Sequence, residues 1–72
     1  MEILPAFNVW NQTDGIFATP DSFKTRRAAR AFIRRFLKRF ERQGYYFTFR
    51  MERIPVEDVE LVVVESEGDD PG

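Results

Sequence analysis

The stretch TRRAARAFIRRFLKRFERQG, residues 25–44, decides the fold. At about 100° of turn per residue, Ala29, Phe32, Ile33, Phe36, Leu37 and Phe40 share one side of a helix. Arg27, Arg30, Arg34, Arg35, Lys38, Arg39 and Arg42 share the other. Thr25 suits the N-cap, where its hydroxyl accepts from an unpaired first-turn amide. Gly44 suits the left-handed position that ends a helix. The spacing therefore predicts a helix over Arg26–Gln43 with an apolar side and a cationic side.

Working outward, Ala6–Asn11 alternates Phe7 and Val9 against Asn8 and Trp10, the period of a strand. Thr13-Asp14-Gly15 follows as a tight turn, because Asp-Gly tolerates positive φ. Ile16–Ala18 returns as a short strand until Pro20 ends it. After the helix, Tyr45–Glu52 alternates again, with Tyr45, Phe47, Phe49 and Met51 on one side. Residues 53–59 hold a turn, with Pro55 suited to start a helical turn. Glu60–Glu65 reads as a last strand whose continuous apolar run points to an inner place in the sheet. Ser66–Gly72 is acidic and contains Gly and Pro, the composition of a disordered tail. The expectation is one α+β domain over residues 1–65, in β-β-α-β-β order. One helix would lie on one face of an antiparallel sheet, with Phe32, Phe36 and Phe40 meeting Phe7, Phe47 and Phe49.

The sequence resembles a set of small uncharacterised bacterial proteins. The resemblance rests on Val9-Trp10-Asn11, Phe17-Ala18-Thr19-Pro20, Thr25-Arg26, Gln43-Gly44-Tyr45-Tyr46, Arg53-Ile54 and Val59-Glu60-Leu61, and spans residues 7–64. It implies a self-contained domain and carries over no functional residue.

Composition narrows the chemistry. The 72 residues suffice for one domain, and such a chain buries only about 60% of its unfolded surface. Cysteine and histidine are both absent, which leaves no disulfide, removes the commonest zinc and copper ligands and leaves general acid–base work to weaker candidates. There is no glycine-rich phosphate loop and no nucleophile elbow. No cofactor, metal or catalytic residue is expected, and an enzyme is not. The first 20 residues lack the basic and apolar regions of a signal peptide, and no run approaches the ~20 apolar residues of a membrane span. A soluble, cytoplasmic protein is the expectation.

Net charge is −1, but it is sharply divided. Lys24–Arg42 carries nine bases against Glu41 alone, so the acids gather elsewhere, most densely after Glu57. Charged helix sides are usually just solvated, and they usually mix signs. Here Arg30–Arg34, Arg34–Lys38, Arg35–Arg39 and Lys38–Arg42 are like-charge neighbours, each costing about 0.2–0.5 kcal/mol. An anionic partner would offset them: nucleic acid, an acidic protein, or the chain's own acidic end. The expected function is a small binding module whose arginines engage a polyanion, foremost nucleic acid. A homodimeric protein–protein adaptor with no nucleic-acid role is the alternative. For that interface, or for base stacking, the expected surface is Trp10, Tyr46 and Arg50 on the sheet face opposite the helix. A membrane surface is not expected as partner, because the core needs the helix's apolar side.

Overall fold

Thr25 caps the helix as its position suggests. In the computed structural model, which describes residues 5–67, its Oγ1 accepts from the Ala28 amide at 3.0 Å. Helix α1 then runs Arg26–Glu41, two residues shorter than expected. Gly44 takes φ 85° and its amide bonds to the Phe40 carbonyl at 2.9 Å, closing the C-terminal turn. Five further elements surround it: β1 (Pro5–Asn11), β2 (Ile16–Phe17), β3 (Tyr45–Phe47), β4 (Arg53–Pro55) and β5 (Leu61–Glu67). A single 3₁₀ turn, Val56–Asp58, joins β4 to β5.

The strands form two sheets. The larger has the order β2-β1-β5, all antiparallel, and the smaller is the β3-β4 hairpin. The fold is α+β, with the helix packed against antiparallel sheet. The Asp-Gly turn forms as the sequence suggests, with Gly15 at φ 73° and its amide on the Asn11 carbonyl. Pairing between β1 and β5 runs from Pro5↔Glu67 to Asn11↔Leu61. The last strand therefore extends through Ser66 and Glu67, into the segment expected to be a tail. The rest of that expected tail, residues 68–72, lies outside the described residues.

Two strand expectations are corrected. The apolar run of β5 sits at an edge of the sheet, and β1 takes the centre. Tyr45–Glu52 is not one strand either. The chain turns back at Thr48–Met51, where the Thr48 amide bonds to the Glu52 carbonyl and Met51 adopts φ 67°.

The core is small. Phe7, Val9 and Ala29 are buried, and Ala18, Phe23, Phe32, Ile33, Leu61 and Val63 pack around them. Phe23 belongs because it bridges to Phe7 beside β1. From there a line of rings follows the helix: Phe23–Phe32 at 5.6 Å, Phe32–Phe36 at 5.9 Å and Phe36–Phe40 at 5.4 Å between centroids. Tyr46 completes it, edge-on to Phe40 at 5.1 Å. Phe47 and Phe49, expected in this core, are instead 46% and 63% exposed.

The reason lies in the turn that opens after Asn11. Tyr46 Oη donates to Asp14 Oδ2 and accepts from Asn11 Nδ2 at 3.1 Å. Asp14 Oδ1 accepts from the Phe49 amide at 3.1 Å, and Thr13 Oγ1 accepts from the Glu60 amide at 2.9 Å. Asn11 is only 1% exposed, so its side chain needs these partners. The turn thereby fastens the hairpin with its tyrosine facing the helix, and Phe47 is left facing outward.

Candidate nucleic-acid interface

Every cation singled out on the helix is exposed: Arg27, Arg30, Arg34, Arg35, Lys38, Arg39 and Arg42. The apolar side is held down by Ala29, Phe32, Ile33 and the ring line, so the helix cannot rotate. Arg27, Arg34, Lys38 and Arg42 form a row along its outward half, flanked by Arg30, Arg35 and Arg39. Two shallow grooves run along this row, one flanked by Ala31, Arg34, Arg35 and Lys38, the next by Lys38, Arg39, Glu41 and Arg42. Among the described residues the one ion pair is Arg26–Glu65 at 2.8 Å. Arg26 also stacks over the Phe7 ring at 5.1 Å. It thus serves the fold and stands apart from the row.

Helix stability does not explain this placement. The macrodipole favours acids in the first turn and bases in the last. Lys38 and Arg39 follow that rule, but the first turn holds no acid and carries Arg26 and Arg27 instead.

The second expected surface does not assemble. Trp10 lies on the open sheet face, edge-on to Phe17 at 4.9 Å. Tyr46 faces the helix between Phe36 and Phe40. Arg50 sits in the Thr48–Met51 turn, 5.8 Å from the Phe49 ring. Alternation placed Tyr46 and Arg50 on one outer face, whereas the distant Asp14 and Asn11 turn the tyrosine inward. The outward side of the hairpin instead holds Tyr45 and Phe47, with the Arg53 guanidinium 4.4 Å over the Tyr45 ring. Sequence reasoning missed Arg53. Its signal was the apolar alternation Tyr45–Phe47, which was assigned to the core.

Burial pushes the Tyr46 hydroxyl up to about 12, helped by its hydrogen bond to Asp14 and the charge there. Among the described residues no cluster of acids is arranged to hold a metal ion, and no helix is long and apolar enough to cross a membrane. No known protein family, curated protein or solved structure matches this chain.

Proposed function

We propose that this protein is a small binding module, not an enzyme, whose helix α1 lays its arginine row along the phosphates of a nucleic acid. The observation that carries the reading is that seven exposed cations, a row and its two flanks, fill the outward half of the helix with no acid paired to any of them among the described residues. A guanidinium fork matches two phosphate oxygens, so a mostly arginine row suits phosphates better than a lysine row would. The row is unbroken by aromatic or amide side chains that could read base edges, so binding follows the backbone and ignores sequence.

Titrating labelled duplex DNA and single-stranded RNA over a salt series tests this. On duplex DNA, log affinity falls linearly with log salt, with a slope of about −0.9 per phosphate neutralised. Exchanging Arg34 and Arg35 for Glu weakens binding to every sequence alike and flattens that slope by about 1.8. Both positions are exposed, so the variant keeps its fold. Absence of binding to either nucleic acid at about 50 mM salt overturns the proposal.

A further inference from the structure

The two edges of the larger sheet are finished differently. On one side β2 spans just Ile16–Phe17, Pro20 follows, and Phe23 closes against Phe7 with both backbone bonds made. Short strands and proline are ordinary ways of closing an edge. On the other side β5 presents seven residues, Leu61–Glu67, with no Pro, Gly or Lys among them.

The hydrogen-bond phase of β5 follows from its neighbour. Phe7, Val9 and Asn11 point their backbone groups toward β2 and Phe23, as the bonds to Phe23, Ala18 and Gly15 establish. Asn8 and Trp10 therefore bond to β5, through their partners Val64 and Val62. The amides and carbonyls of Leu61, Val63 and Glu65 point the other way, and among the described residues they have no partner. The side chains agree. Val62 and Val64 stay 42% and 39% exposed on the face away from the helix, in line with Trp10 and with the 53% exposed Phe17. A run such as Leu61–Val64, with no polar alternation, suits a strand with neighbours on both sides. The single chain supplies one.

We propose that the missing neighbour is β5 of a second copy, paired antiparallel about a two-fold axis through Val63. That register sets Val63 against its own copy and Leu61 against Glu65 of the other chain, each pair exchanging both backbone bonds. It also sets Val62 opposite the second copy's Val64, so four valines join the two Trp10 rings on one apolar face. Centring the axis on Glu65 would place two carboxylates directly opposite each other, which is unfavourable. The axis stands perpendicular to the sheet, so the two halves become one six-stranded sheet. Both helices then lie on the same side of it.

The wild-type chain in sedimentation equilibrium at high micromolar concentration is expected at about twice the 8.5 kDa monomer mass. Hydrogen exchange adds a residue-level mark: the Leu61, Val63 and Glu65 amides gain protection with concentration, while Val62 and Val64 are protected throughout. The double variant V62K/V64K sets lysine against lysine across the axis and is expected as a monomer. V62K/V64E sets lysine against glutamate in the same register and is expected to remain a dimer. A wild-type monomer, or protection at Leu61, Val63 and Glu65 that does not depend on concentration, overturns the proposal. So does a monomeric V62K/V64E, which would mean that the apolar faces stack on each other and the edges do not pair.

Discussion

Tyr46 shows how one hydroxyl can outweigh a local pattern. Its ring gains Phe36 and Phe40 as neighbours and its oxygen gains Asp14 and Asn11. Both gains require the inward face, and none of these partners is near in sequence. The folded protein holds the tyrosine proton more tightly than the unfolded chain, about 12 against an ordinary 10. The stability this contributes is complete below pH 10 and is lost as pH rises toward 12. Unfolding midpoints measured across that window should fall for the wild type. Tyr46→Phe should be weaker at neutral pH by about 1–3 kcal/mol, because it leaves the buried Asn11 amide unpaired, and should lose the part of the alkaline fall that tyrosine ionisation causes. A variant that declines in parallel with the wild type would place the alkaline sensitivity elsewhere.

At the scale of elements, what was legible was what repeats locally. The helix announced itself through its 3.6-residue period, Thr25 and Gly44, and the cationic row came with it. Asp14-Gly15 marked the first hairpin for the same reason. The second hairpin carried no such mark, since its turn residue with positive φ is Met51 and not Gly. Alternation therefore runs unbroken through Thr48 in the sequence and points the outward ring of Phe47 at the core. That missed turn carries Arg50 off the strand, while Tyr46 is drawn inward by Asp14 and Asn11 and Trp10 alone stays on the open sheet face. The misplaced turn residue also predicts a gain. Met51 is 74% exposed, so it has little packing to lose, and its left-handed backbone costs about 1–2 kcal/mol for a residue with a Cβ. Met51→Gly should stabilise by about 0.5–1 kcal/mol after glycine's entropic cost, read from the midpoint of urea unfolding. Equal or lower stability would mean that the exposed methionine is doing more for the hairpin than its surroundings indicate.

For the molecule as a whole, the total charge of −1 conceals a cationic helix and a set of acids that lie largely beyond it. Asp69 and Asp70 fall outside the described residues, but their charge acts over a Debye length of about 10 Å at 0.1 M salt. Changing both to Asn takes the net charge from −1 to +1. If the row binds phosphates, the exchange should tighten binding at low salt and matter progressively less as salt screens it. An affinity unchanged at low salt would show that those acids do not reach the row. If β5 pairs with a second copy and the row binds phosphates, the two would reinforce each other at this scale. Two helices on one side of a joined sheet present two cationic rows to the same ligand, and the second row engages at the raised effective concentration that linkage provides.

Trp10 gives the molecule an internal lamp. It is the single tryptophan in the chain, and it stands beside Phe17 and across from Val62 on the side of the sheet that α1 does not cover. Its emission colour therefore senses whether that side is covered. Stacking of two open faces would drive water off the ring, whereas edge pairing of two β5 strands would set the nearest new valine two strands, roughly 10 Å, away and leave the face open. Phosphates bound on the outward row of α1 would lie on the far side of both layers and would leave the colour alone. Unlabelled protein would thus tell a dimer joined at its edges from one stacked through its open faces by where its own light originates.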